Sequence, residues 1–278
     1  MAGKRDLTRW VVTAPPTLFL LAFFLVPALI VVLASFREPG EFGGLAPLRV
    51  DGRSTLGLEA YHFLLGDVIY LEILARSFLV ALVTTLLCIL LAYPLAWLIA
   101  RSPAKRRDLL VLLVVLPFAS NFLVRIYAWI MLLGPINLLY TPFAVIAGMV
   151  YVHLPFMVLP LYTNLEKHDP ALLEAAQDLG ASAWTRFWRV TFPLSLPGIF
   201  SGAALVFIPV LGMFAVPELL GGTGDILIGN LIKEQFLDNR DWPLGSALSI
   251  MLTITVLLLA GAAAWAARRG LHGTEAVT

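Results

Sequence analysis

Residues 164–196 read NLEKHDPALLEAAQDLGASAWTRFWRVTFPLSL, a polar interval between two long apolar stretches. Asp169 suits a helix N-cap and Pro170 the first helical position. Leu172, Ala175, Ala176 and Leu179 then recur at i, i+3, i+4 and i+7, so they share one face, with Glu174, Gln177 and Asp178 off it. Gly180 stands where a glycine ends a helix, and Ser182 suits the cap of a second one. On that second helix Trp184, Phe187 and Trp188 form an aromatic stripe opposite Arg186 and Arg189, and Pro193 is expected to stop it. The pattern predicts a short helix, a glycine-permitted bend and an interfacial helix anchored by tryptophans. Two readings fit it: a small-residue, acidic surface that docks on another protein, or an amphipathic loop lying on a membrane.

The flanks decide the setting. Crossing a bilayer as a helix takes about 20 apolar residues, because about 30 Å of hydrocarbon is covered at 1.5 Å per residue. Charge-free runs of that length are Val11–Phe36, Ser77–Ala100, Ile126–Leu165, Val190–Pro217 and Trp242–Ala267. The third is too long for one helix, and Gly134-Pro135 and Thr141-Pro142 break it. Its first part joins 109–124 across Arg125. Six spans are expected, roughly 11–35, 77–100, 109–133, 143–163, 197–218 and 245–267. No segment alternates with the period of a barrel strand, so the fold class is an all-α polytopic membrane protein. Composition agrees: 60% of the 278 residues are apolar and 13% charged, against about a quarter charged in soluble domains. The single cysteine, Cys88, excludes a disulfide scaffold, and the net charge of +1 argues against nucleic acid as a partner.

Lysine and arginine placement sets orientation. With the N-terminus inside, the cytoplasmic set is Lys4, Arg5, Arg9, Arg101, Lys105, Arg106, Arg107, Lys167, Arg186, Arg189, Arg268 and Arg269. The outer set is only Arg37, Arg49, Arg53, Lys233 and Arg240. Both termini are therefore expected in the cytoplasm. The first apolar run exceeds the usual core of a cleaved leader and the even span count needs it, so it is expected to be retained. Residues 1–278 then form a single transmembrane domain with an acidic outer loop, 37–72, and a cytoplasmic loop, 164–196.

Ionisable groups within spans are costly and are functional suspects. Arg125 lies about 24 Å up its helix from residue 109, and Glu218 about 33 Å up from residue 196, both near the outer face. Each either snorkels to the headgroups or pairs with the other at the outer end of a pathway. Tyr127, Trp129 and Phe214 either offer ring faces to a cation or simply pack. Asn121 either bonds substrate or a neighbouring helix. His153, beside Pro155, is expected to bond a carbonyl freed by that proline. No second histidine or cysteine stands at ligand spacing, so no metal site is expected.

Glu174-Ala175-Ala176, Gly180 and Val190-Thr191-Phe192-Pro193 resemble the EAA signature of ABC-importer permeases, E-A-A, three residues, G, nine residues, I-x-L-P. The spacing is kept, with Val190 and Phe192 as apolar stand-ins. NFLVRIYAW (121–129), VHLPFMVLPLYTNLEK (152–167) and IGNLIKEQFLDNRDWPLGSALSI (228–250) resemble the spermidine/putrescine branch. The likeness runs over about 75–267. It implies the type I importer permease fold in a bacterial inner membrane. Residues 164–196 would then hold a coupling helix on a cytoplasmic ATPase, with Glu174 and Gly180 carried over and Ala175 and Ala176 as its close-packing face. It further implies a second permease, two ATPase subunits and an external solute-binding protein. Asn121, Arg125, Tyr127, Phe214 and Glu218 are the candidate substrate pathway. Polyamine is the expected cargo, with another small solute as the alternative.

Other functions fit less well. No G-x-x-x-x-G-K-[ST] loop is present, so the chain is expected to bind no cofactor and to be no enzyme, ATP and Mg being used by the partner ATPase. An intramembrane serine protease would need a serine and a histidine base in the spans, yet GRS (52–54) and GAS (180–182) fall in aqueous loops. A self-sufficient secondary transporter expects charged relays at the midplane, and it would leave the coupling loop without a purpose.

Overall fold

The computed structural model describes residues 13–50 and 53–275, and most of them are helical. They fall into two compact units: the chain up to Leu71 together with Leu231 onward, and Glu72–Asn230. The division passes inside two helices, α3 and α10 below.

In the first unit α1 spans Thr13–Ala34, with a wide π turn over Leu21–Leu25. The segment after α1 holds an antiparallel pair of two-residue strands, β1 (Arg49–Val50) on β2 (Arg53–Ser54), and a short helix α2 (Glu59–Gly66). The last helix, α11 (Trp242–Glu275), packs on α1 and α2. Tyr61 Oη donates to Ser35 Oγ at 2.8 Å, tying α2 to the end of α1. Gly43, at φ 88°, lies so close to Arg240 that a Cβ would sit 2.6 Å from the arginine's own Cβ.

The second unit carries the rest. Helix α3 (Val68–Ala100) starts nine residues before the expected span and contains Pro94. Its buried stripe is made of small side chains, Ser77, Ala81, Thr84, Thr85, Cys88, Ala92 and Ala96. That composition lets a neighbouring backbone approach closely where no hydrophobic drive separates helix from lipid. Helix α6 (Pro142–Leu165), capped by Thr141, is the most buried of the candidate spans. It packs along α8 (Ala183–Gly212). At their contact a Cβ on Gly202 would come within 3.2 Å of Met157 Cα, which explains the glycine there.

Three expected boundaries change. The span over 109–133 is two helices, α4 (Ala104–Val115, extended by a 3₁₀ turn to Ala119) and α5 (Phe122–Leu133), meeting at 93°. Pro117 weakens the end of the first, Ser120 turns extended, and Asn121 caps the second by accepting from Leu123 N–H at 2.8 Å. Next, Pro193 does not stop the interfacial helix. A π turn over Phe187–Thr191 carries α8 through it. Phe192 N–H reaches back to Phe187 O, and Pro193, with no N–H, stands where the ladder returns to the α register. Finally, the span expected to reach 218 ends at Gly212. Met213 is extended, and a separate helix α9 covers Ala215–Leu220. The chain then passes through a glycine-rich loop into α10 (Ile228–Leu237).

Candidate functional site

The 164–196 loop folds as its pattern predicts at the local level. Helix α7 covers Pro170–Asp178, and the Asp169 carboxylate accepts from Ala171 N–H at 2.9 Å. Its end is a Schellman turn: Ala181 N–H donates to Ala176 O at 3.0 Å and Gly180 N–H to Gln177 O at 2.8 Å. Gly180 has φ 78°, in the left-handed region that favours glycine. Ser182 accepts from Thr185 N–H and caps α8.

This loop is fixed to the unit from one side. Leu173 and Ala176 turn inward, and Leu173 lines a small cavity with Trp97, Arg101, Arg186 and Thr191. Arg186 Nη1 donates to Gln177 Oε1 at 2.6 Å, and His168 Nε2 to Leu194 O at 3.1 Å. Tyr93 on α3 meets Phe187 edge-on at 5.5 Å, and its hydroxyl lies 3.1 Å from Ser195 Oγ. Arg107 at the start of α4 pairs with Glu166 at 2.6 Å, holding α4 to the root of the loop. Burial and the neighbouring Arg186 charge lower the pKa of Arg101, whose guanidinium stacks 3.8 Å over Trp97. The opposite face is bare. Leu172, Glu174, Ala175 and Leu179 are exposed, Leu179 to 89%. Among the described residues none bonds the Glu174 carboxylate. An exposed apolar face carrying an unmatched carboxylate can receive another protein.

A cleft of about 730 Å³ opens beyond the break in α8. Tyr140, Glu218, Gly221, Gly222, Asp225 and Asn230 line it, with Pro217, Thr223 and Ile226. The break itself is held by α10: Asn230 Nδ2 donates to Phe214 O at 2.9 Å, and Gly229 lies against the Gly212 carbonyl. Asp225 accepts from Gly222 N–H at 3.1 Å and from Arg76 Nη2 of α3 at 2.6 Å. Two carboxylates, an amide and a phenol ring converge here, chemistry suited to a hydrated or amine cation.

Residues 92–269 match the family described as the binding-protein-dependent transport system inner membrane component. This chain belongs to that family. The permease is 43% identical over 260 residues to the spermidine/putrescine transport system permease protein PotB of Escherichia coli (strain K12), covering 87% of this chain and 91% of that protein. The PotB protein of Haemophilus influenzae is 41% identical, covering 87% of each. Among solved structures, a bacterial ABC transporter that imports the acidic polysaccharide alginate aligns at TM-score 0.65 and 19% identity over 96% of both chains. The alginate transporter in complex with a pentasaccharide-bound periplasmic protein aligns at 0.64 and 17%, over 92% of both. Those two likenesses speak to the fold alone. The permease is accordingly a multi-pass inner-membrane protein, with, among the described residues, five helices long and apolar enough to cross and a sixth if the bent α4–α5 pair counts as one.

The structure divides the pathway residues expected from sequence. Glu218 lines the cleft, and Phe214 stands at the helix break beside it. Asn121 spends its carbonyl oxygen on capping α5 and Tyr127 is exposed on the same helix. Arg125 and Glu218 are not brought together: among the described residues Arg125 forms no ion pair, and its guanidinium lies 5.8 Å from the Phe118 ring and 5.9 Å from that of Phe122. His153 bonds a carbonyl, yet it is Met149 O, one turn back, at 2.8 Å rather than the one freed by Pro155. Sequence reasoning missed Asp225, Arg76, Tyr140 and Asn230. The signal available was the acid inside GGTGD (221–225), a charge placed among glycines just past a span.

Proposed function

We propose that this permease is half of the membrane pathway of an ATP-driven polyamine importer for spermidine and putrescine. The acidic cleft carries the reading: Glu218 and Asp225 lie with Asn230 and Tyr140 in one opening, in the same unit that presents the bare α7 face. A polyamine carries several ammonium groups along a flexible chain. Such a ligand is matched by two carboxylates that share a cleft, with carbonyls and an aromatic face between them. Similarity to the two PotB proteins supports the same substrate class.

In this reading both termini are cytoplasmic, and Glu174 and Ala175 form the docking surface for one of two ATPase subunits, with Gly180 turning the chain at its end and Ala176, which faces inward, seating the helix beneath it. ATP and Mg are bound there and not by this chain. A second permease completes the pathway, and an external solute-binding protein delivers polyamine to the outer cleft. Closure of the ATPase pair draws on α7, and the bonds Arg186–Gln177 and His168–Leu194 pass that motion to α8. ATP shifts the transporter between inward-open and outward-open states only through its different affinity for the two. Tyr127 and Phe214 line the route as ring faces, and Asn121 and Arg125 mark the bend through which it opens.

The test is ATP-dependent uptake of labelled spermidine and putrescine into vesicles holding the chain with its co-expressed genomic neighbours. Wild type is expected to accumulate both, with Glu174→Arg abolishing uptake and Glu218→Gln raising the half-saturating concentration. Assembly with an ATPase but no polyamine uptake would overturn the substrate class. Failure of any ATPase to co-purify would overturn the coupling role of α7.

A further inference from the structure

The loop between α9 and α10, GGTGD at 221–225, is stapled to α3 at two neighbouring points. Arg76 donates through Nη2 to Asp225 Oδ1 at 2.6 Å and through Nη1 to the Gly224 carbonyl. Ser77 Oγ, buried, accepts from Ile228 N–H at 2.8 Å. The two staples differ in kind. The serine bond is neutral and dry, and it fixes the start of α10. The arginine bond is an ion pair whose halves are unequally exposed, 45% for the Arg76 side chain and 14% for Asp225. The cation can return to water at little cost. The carboxylate, tucked under the loop with its second oxygen on Gly222 N–H, requires a positive partner wherever it remains.

Resting on the polyamine reading above, we infer that Arg76 is a resident counter-cation that an ammonium group of the substrate displaces from Asp225, so that this ion pair latches the outer cleft. One ammonium takes the place of the guanidinium while a second engages Glu218, which lines the same cleft. A monoamine must give up one of these and competes poorly with Arg76. Three glycines in five residues let 221–225 move once Arg76 lets go, and the Ser77 bond keeps α10 seated. The latch thus gives the cleft a threshold: it opens for ligands with two or more positive charges.

The assembled transporter in vesicles provides the test. Arg76→Gln is expected to lower the half-saturating spermidine concentration about 1.4-fold to fivefold, the range for losing one exposed competing ion pair. It should also narrow the preference for spermidine over a monoamine. Arg76→Lys should fall between, and Asp225→Asn should raise the half-saturating concentration at least tenfold. An unchanged half-saturating concentration in Arg76→Gln overturns the latch. So does a loss of maximal rate in Arg76→Gln that Arg76→Lys restores, since a mere structural clamp behaves that way. A spin label on Thr223→Cys reads the loop directly, because the native Cys88 is buried and silent. Spermidine should mobilise the label in the parent to the level Arg76→Gln shows without ligand. If that happens and no uptake is seen, the importer reading fails and the latch stands. If uptake is normal and the label never responds, the latch fails alone.

Discussion

Arg186 in the first turns of α8 donates to the side-chain oxygen of Gln177 on α7 at 2.6 Å. It adds a polar side-chain tie to the turn at Gly180 and to the packing of Leu173 beside Arg186 and Thr191. Removing the acceptor with Gln177→Ala leaves α7 folded, since its cap at Asp169 and its Schellman end are intact. What is lost is the stiffness with which a pull on α7 reaches the membrane. The expected outcome is a drop of about threefold to tenfold in transport per ATP hydrolysed, an exposed hydrogen bond of this kind being worth about 0.5–1.5 kcal/mol. Gln177→Glu, which keeps an acceptor, should retain coupling. The ratio of uptake to phosphate release in the same vesicles is the measurement.

Gly180 separates conformation from space. Its φ is 78°, yet a Cβ there would meet nothing within 4 Å. Substitution therefore costs backbone strain alone, about 1–2 kcal/mol for an ordinary L-residue in the left-handed region. The series Gly180→Asn, Gly180→Ala and Gly180→Val should lose activity in that order, asparagine least because it tolerates this conformation. Yield of co-purified ATPase across the series checks it. A clash-driven site would instead follow side-chain volume, with alanine nearly neutral.

Gly202 is the opposite case. A Cβ there would sit 2.6 Å from Met157 Sδ and 3.2 Å from its Cα, whereas one on Gly212, at the end of the same helix, meets nothing within 4 Å. Methionine can swing its sulfur aside but not its backbone, so Gly202→Ala should cost about 1–3 kcal/mol by overpacking. A fall of several degrees in the unfolding temperature of purified protein is expected for Gly202→Ala and almost none for Gly212→Ala. Equal effects at both positions would mean that helix propensity, not the α6–α8 contact, sets the response.

The comparison of sequence with structure divides along one physical line. Features written in local chemistry were legible: the Asp169 cap, the Gly180 turn, the Ser182 cap and the apolar length of the spans all follow from neighbours within a few residues. Features that depend on who packs against whom were not. Pro193 reads as a stop, but a π turn absorbs it because α3 holds the aromatic face of that segment through Tyr93. Residues 109–133 are apolar enough to span and still bend by 93°, since hydropathy is blind to direction. Charge and height leave Arg125 free to snorkel or to pair with Glu218, whereas the structure places Arg125 beside phenylalanine rings. The role of Asp225 is not written in its neighbours, because its partner, Arg76, is distant in sequence.

Asn121 offers a clean choice between two roles. Its side-chain oxygen accepts from Leu123 N–H at 2.8 Å at the corner between α4 and α5. If capping is its function, serine and aspartate, which also accept from that N–H, should replace it with little loss. Alanine should destabilise the corner by about 1 kcal/mol, the ordinary worth of an N-cap. If instead its amide grips substrate, Asn121→Ser must fail along with Asn121→Ala, because a short hydroxyl cannot reproduce the amide's reach. Uptake by the three variants, read beside their unfolding temperatures, decides it. The structure predicts that serine and aspartate hold both quantities near the parent value, and that alanine lowers stability first and uptake only in proportion.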